Sequence, residues 1–495
     1  MKSVLMSTNF APRVAAAALL ATSLSLSACA APDLGSRPEM RASQSLESSR
    51  SLGGSGGGGA AQAAWPNEQW WTVYRDPALD DLVREALASS PDVAMAAARI
   101  RQAEGAAQVT GAAGLPQIGG EGAAGMTKQS YNNGVPASFV PRGWNSTGTL
   151  ALSGSFDLDL WGKTRSALAA ATSEVQAQQA DARQAELMLS TNVVSSYFDL
   201  ARLIARGNAL AEALAAREAL AGLTRHRVEQ GLDSQSPLRQ AQAGVAQARG
   251  AVSANDEQIL LRRHALAALL GAGPDRGLSI QPAAIEAVAA VSVPADAGIA
   301  LAGRRPDIVA ARLRAEAASA RIDSAKAAFL PDISLRGLIG LTSLGLSNLV
   351  DTGSTYGNAG AALSLPIFSG GQLEGQFTQA RGGYDAAVAD YNATLIGALR
   401  DVADALSRRD AALAQEQAAE DARRQAASAY ALAMQRYRGG LSNYITALSA
   451  QDTALAAREA AIDAHFRTLA EEVALTRALG GGFTNTANGK ASSHE

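Results

Sequence analysis

At 495 residues, with a formal net charge of -3 and no basic run, the chain lacks the electrostatic footprint of a nucleic-acid binder. Aromatic residues are only 5%, Gly numbers 47, and the helical stretches are crowded with Ala, Gln, Arg and Glu. That mixture suits long helices with narrow, closely packed seams better than an ordinary globule, and a single cysteine leaves no intrachain disulfide to form.

The chain opens as an export signal, expected over residues 1–28. Lys2 and Arg13 flank the start of an apolar run at 14–20, which continues through small residues to Leu26, Ser27, Ala28 and Cys29. The last four resemble a bacterial lipobox, which implies cleavage before Cys29 and a covalent lipid on it; an ordinary cleaved signal with a chance cysteine is the alternative. Ala30 is not the Asp that often signals inner-membrane retention, and this favours the outer membrane. Residues 29–64 are rich in Ser, Gly and Ala, including Gly56 to Gly59, and read as a flexible linker behind the lipid. No later stretch supplies 18 uncharged apolar residues, so a body that spans a membrane must do so as a barrel.

A first structural repeat is expected over 65–300. Asp76 and Pro77 start one helix and Pro91 a second, which Leu115 and Pro116 end. Short-sided, alternating residues predict strands at about 117–129 and 147–160. A long helical hairpin follows over 163–270. Its first arm, about 68 residues without a Pro, is a rod of roughly 100 Å. Val193, Tyr197, Leu200 and Ile204 step along it as a coiled-coil seam does, and residues from Gly231 to Pro237 force the turn. A second repeat, over 301–482, has the same order. Pro306 opens a helix, strands are expected at about 332–344 and 356–367, and a hairpin at about 371–479 turns at Gly439 and Gly440. Residues 483–495 read as a disordered tail.

The duplication is explicit. Pro91, Asp92, Leu115 and Pro116 recur as Pro306, Asp307, Leu330 and Pro331, and Gly231 and Leu232 recur as Gly440 and Leu441. The fold class is therefore mainly α with membrane β. Each strand is long enough to cross an apolar band about 25 Å tall when tilted. Four strands per chain cannot close a barrel, since membrane barrels start at about eight strands and tolerate no edge in lipid. Several chains must share one.

With the lipobox at Cys29, the residues Arg304, Arg305, Pro306 and Asp307, the run from Leu330 to Ile333, Leu365 to Phe368, Tyr437 to Gly440 with Asn443 and Tyr444, and Ala478 to Gly482, the chain resembles the outer membrane factors. These are the TolC-like channels, here of the OprM/NodT-like lipoprotein branch. The resemblance covers the whole mature chain. It implies a homotrimer with a twelve-stranded barrel in the outer membrane and a twelve-helix α-barrel through the periplasm. It also implies a passive, gated conduit for efflux or export that works with a periplasmic adaptor (a membrane fusion protein) and an inner membrane transporter. No enzymatic activity and no cofactor beyond the covalent lipid on Cys29 are implied.

The same resemblance places adaptor docking at the periplasmic hairpin tips, around Gly231, Asp233, Gly439, Gly440, Asn443 and Tyr444, although these glycines also serve simply to permit tight turns. It places a candidate gate at Ile445 and Ser449. Serine stands where the pattern has an acidic residue, so an apolar ring of Ile445 side chains that closes by dewetting competes with a plain core isoleucine. Asp401 and Asp404 share a helix face and read as solvated, and the histidines have no metal-site spacing. Tyr131, Trp144 and Tyr356 flank the strands as interface anchors or loop packing, and Arg304 and Arg305 read as structural. A periplasmic adaptor would need compact β-rich domains around a single hairpin. A purely structural coiled-coil envelope lipoprotein would need no paired strands.

Overall fold

A computed structural model describes residues 32–52, 64–282, 294 and 297–484. The expected signal at 1–28, Cys29 and residues 485–495 lie outside the described residues. The main helices are α1 (Pro77–Ser89), α2 (Pro91–Ala112), α3 (Lys163–Glu229), α4 (Gln235–Leu269), α5 (Ala297–Arg304), α6 (Pro306–Ala327), α7 (Gln372–Arg438) and α8 (Tyr444–Ala478). Between them run β1 (Gln117–Thr127), β2 (Asn145–Asp157), β3 (Asp332–Leu344) and β4 (Thr355–Ser364). α3 and α7 each have 67 residues, about 100 Å of helix apiece. Among the described residues no helix is long and apolar enough to cross a membrane.

Three strands end earlier than their sequence suggests, β1 at Thr127 and, for local reasons, β2 and β4. β2 stops at Asp157 because its carboxylate accepts from the Asp159 amide at 3.0 Å, and Asp159 turns the chain with φ 43°. The Asp159 carboxylate then accepts from the amides of Thr164 and Arg165, both at 2.9 Å, and so satisfies two donors in the first turn of α3. β4 stops at Ser364, two residues before Pro366, which has no amide to donate.

All four long helices stop in one way. A left-handed glycine follows each, at Gly231, Gly271, Gly440 and Gly480. The next residue's amide reaches back five positions: Leu232 to the Arg227 carbonyl, Ala272 to Ala267, Leu441 to Arg436 and Gly481 to Thr476. This is the Schellman arrangement, which satisfies carbonyls that the helix itself leaves without partners.

Compactness does not follow the two sequence repeats. One unit takes residues up to 40, 100–177 and 311–390, and the other takes 41–99, 178–310 and 391 onward, so each draws on both halves. The first holds the sheet and a small aromatic core of Ile322, Phe329 and Phe377. The second is helical. Its largest core gathers Trp70, Trp71, Tyr74, Leu79, Val193, Tyr197, Phe198, Leu266 and Leu469. There the Asp76 side chain caps α1 and also accepts a hydrogen bond from the buried Tyr197 hydroxyl, which ties the cap to α3. The stretch expected as a free linker is structured where it is described, since the arm before Met40 hydrogen-bonds to α7 through Arg381 and Tyr384.

Candidate channel wall and hairpin tips

The four strands form one antiparallel sheet in the order β1-β2-β3-β4. Its register sorts the side chains. Ile118 stands opposite Gly154, Leu152 opposite Gly120 and Ile339, and Leu335 opposite Phe156 and Ala361. Because successive residues face opposite sides, Ile118, Leu150, Leu152, Phe156, Ile333, Leu335, Ile339 and Leu363 share one face with glycines and alanines. The other carries Gln117, Glu121, Thr149, Ser153, Ser155, Ser334, Arg336, Thr342 and Asn358. One face is made for hydrocarbon and one for water. β1 and β4 each pair on one side only, which leaves two open edges.

At the sheet's foot, the Trp161 indole donates to the Pro331 carbonyl at 2.7 Å and the Ser324 hydroxyl to the Lys163 carbonyl at 2.9 Å. These bonds fix the departure of α3 beside the start of β3. Trp144 lies exposed before β2, the Tyr131 hydroxyl accepts from the Gly143 amide at 3.0 Å, and Tyr356 belongs to β4 itself.

At the turns of the hairpins the two pack through one core: Leu220, Ala221 and Ala241 from the first hairpin, and Met434, Tyr437, Tyr444 and Ala447 from the second. Tyr444 is only 4% exposed and meets the Tyr437 ring edge-on at 6.4 Å. Its ring is therefore part of the core beneath the tip. Asn443 caps α8, its side chain accepting from the Thr446 amide at 3.0 Å. Asp233 pairs with Arg227 at 2.7 Å and holds that guanidinium above its usual range; Arg227 also lies over the Tyr437 ring at 5.2 Å. Tyr437 in turn shares a hydrogen bond with the Thr224 hydroxyl at 3.1 Å. Beside Gly231 and Gly440, the side chains of Leu232, Leu441 and Ile445 stand 61%, 80% and 63% exposed. Ser449 is exposed one turn beyond Ile445. The tips thus present apolar side chains over a rigid polar lock. Sequence reasoning passed over Leu232 and Leu441, whose signal was the Gly-Leu pair repeated at both turns.

The other candidates have structural partners. Asp401 pairs with Arg305 and Arg400, and Asp404 with Arg408. His465 meets Glu416 at 2.7 Å and His226 meets Glu229. Among the described residues no cluster of metal-ligating side chains occurs.

The family model for outer membrane efflux proteins matches residues 82–272 and 300–481. The chain is 37% identical over 327 residues to the fusaric acid resistance protein FusA of Burkholderia cepacia, a match that covers 65% of this chain and 61% of that protein. It is 31% identical over 350 residues to the multidrug resistance outer membrane protein MdtP of Escherichia coli, covering 69% and 72%. The solved outer membrane protein VceC of Vibrio cholerae superposes with a TM-score of 0.80 at 40% identity, over 85% of this chain and all of that one. With a two-faced sheet, two long hairpins and an internal duplication, this chain belongs to the outer membrane efflux protein family and has the TolC-like channel fold.

Proposed function

We propose that three copies close their sheets into one twelve-stranded barrel in the outer membrane and serve as the exit duct of a tripartite pump. An inner membrane transporter drives it and a periplasmic adaptor docks at the hairpin tips. The observation that carries this reading is the sheet: one apolar face, one polar face and two edges that lipid does not tolerate unpaired. Pairing β4 of one copy with β1 of the next removes both edges at once.

The duplication supports the same closure. α6 buries Ile308, Val309, Ala310, Leu313, Ala317 and Ile322 within the chain. Its counterpart α2, aligned on it residue for residue, buries nothing, and Met95 and Val109 stand exposed. A neighbouring copy is the occupant that would give α2 the cover α6 already has. Cys29 is proposed to carry the lipid anchor. Cargo passes down a water-filled duct whose selection is left to the transporter.

Electron microscopy of the mature protein extracted from outer membranes tests this reading. A three-fold tube with a helical rod of roughly 100 Å under a short barrel supports it. A monomer, or a rod with no barrel, overturns it in favour of an adaptor or a structural envelope lipoprotein.

A further inference from the structure

The apolar face of the sheet is short at the end away from the helices. Its long side chains run from Ile333 to Leu341 on β3, a rise of about 26 Å along the strand and, at a tilt of about 40°, about 20 Å along the barrel axis. A membrane barrel needs an apolar band about 25 Å tall. The next row of that face would supply the remaining height of about 5 Å, but it consists of Ala124, Gly148 and Ser343, and above it Ser146 stands beside Met126. Small side chains and two hydroxyls face hydrocarbon poorly.

The β3–β4 loop fills that row. Gly345, with φ 99°, turns the chain at the end of β3, and its amide donates to the Ser146 carbonyl at 2.6 Å. The Leu346 amide then donates to the Ser146 hydroxyl at 3.0 Å, and the Ser343 hydroxyl donates to the Gly345 carbonyl at 2.8 Å. Both hydroxyls are therefore satisfied by loop backbone. Leu346 and Leu349 rest over Gly148, where a Cβ would meet Leu346 Cδ1 at 2.8 Å and Leu349 Cδ2 at 3.1 Å. That Cβ would share its face with Leu150 and Leu152, so the loop lies on the apolar side of the sheet and not across the polar one. Leu346 and the neighbouring Val350 remain 48% and 80% exposed. Ser354 ties the far side of the loop: its hydroxyl donates to the Asn348 carbonyl at 2.7 Å, and its carbonyl accepts from the Thr342 amide at 2.8 Å.

We propose that residues 345–354 form a fixed flap folded onto the outward face of the barrel, where Leu346, Leu349 and Val350 complete the apolar band against lipid acyl chains at the outer rim. The inference rests on the barrel proposed above. The flap adds the last row of height that the strands lack, and its seat keeps this loop off the mouth of the duct. A loop built to close the mouth would carry its leucines to the side of Thr149 and Thr342 instead.

The test uses the full chain, purified from outer membranes and reconstituted in phosphatidylcholine vesicles, with a nitroxide on Val350→Cys, Leu152→Cys or Thr149→Cys. The unaltered chain, treated with the same reagent, gives the blank for Cys29. Collision with oxygen, which concentrates in lipid, is compared with collision with a water-soluble nickel chelate. The oxygen-to-nickel ratio is expected to be several-fold higher at 152 than at 149, which tests the two faces of the barrel, and at 350 to lie near the value at 152. A ratio at 350 equal to that at 149, with 152 in lipid, overturns the flap and leaves the barrel standing. Equal ratios at 152 and 149 overturn the barrel reading itself. Gly148→Leu fills the seat, and in that variant the ratio at 350 is expected to fall several-fold; an unchanged ratio overturns the seating of the leucines on Gly148. If Gly148→Leu fails to insert, the label at 350 in the otherwise native chain decides alone.

Discussion

Arg305 offers the sharpest test of how the helical unit is held. Its side chain is 11% exposed. Its fork donates to both oxygens of Asp307, at 3.1 and 2.6 Å, to the Ala478 carbonyl at 3.2 Å, and more distantly to Asp401 at 3.5 Å. One side chain thus joins the start of α6 to the last turn of α8 and the middle of α7. Arg305→Ala removes all of these bonds. Hydrogen bonds to charged groups contribute about 1.5–3 kcal/mol each, and breaking a buried ion pair costs about 3–5 kcal/mol. Asp307 is 26% exposed and Asp401 keeps Arg400, so water and a second cation recover part of the loss. The expected cost is about 3 kcal/mol, on the order of a hundredfold in the unfolding equilibrium. Arg305→Lys keeps the charge but not the fork and should recover roughly half. Arg304, whose guanidinium lies over the Trp65 ring at 5.1 Å, should cost about 0.5–1 kcal/mol when replaced by Ala. Urea unfolding followed by the fluorescence of the buried Trp70 and Trp71 reads all three. If Arg305→Ala proves no worse than Arg304→Ala, the joint is not what holds these helices. If Arg305→Lys abolishes export at wild-type stability and assembly, the residue has a functional role that the structural reading denies.

Three further outcomes follow from the same geometry. Gly480→Ala forces a side chain into a φ of 90° and drives a Cβ into the Arg304 carbonyl, so a loss of at least about 2–3 kcal/mol is expected; a melting temperature equal to wild type would refute the close approach of the α8 end to Arg304. Burial, followed by the Glu472 carboxylate, raises the Tyr74 pKa far above its ordinary value of 10.0. Because the native state keeps the phenol proton that the unfolded chain releases, this stabilisation is complete below pH 10 and is lost as pH rises beyond it; Tyr74→Phe should flatten that alkaline limb of the stability curve, and an unchanged limb would show another group at work. Ile445→Asn, at an exposed tip position, should shift stability by less than about 0.5 kcal/mol yet raise the resting conductance in planar bilayers, whereas an unaltered conductance would remove Ile445 from the closing ring.

Much of the fold was legible because the chain punctuates itself. Pro91 and Pro306 open two helices, and the glycines at 231, 271, 440 and 480 close the four long ones in a geometry that few other residues adopt. The duplication then let each weak strand signal lend weight to its partner. What escaped reading was set by residues distant in sequence. Tyr444 matches a tip motif, but its burial depends on Tyr437 and on Leu220 of the other hairpin. Residues 32–41 have no apolar pattern of their own, and their place on α7 comes from Arg381, far along the chain. β2 ended early because Asp159 serves the next helix as a cap, a task its neighbours in sequence do not announce.

The two open edges of the sheet also make each copy answerable for its neighbours. In the proposed three-chain barrel a copy whose β1 edge cannot pair does not merely fail; it enters a ring and leaves a gap that its healthy companions cannot close. If such a chain and the intact one are made in equal amounts and mix freely, only about one ring in eight is composed wholly of intact copies. A damaged allele would then behave as dominant in a cell that still carries a good one. Selection on the edge strands therefore acts on the ring, through the strand sides that a single chain leaves open.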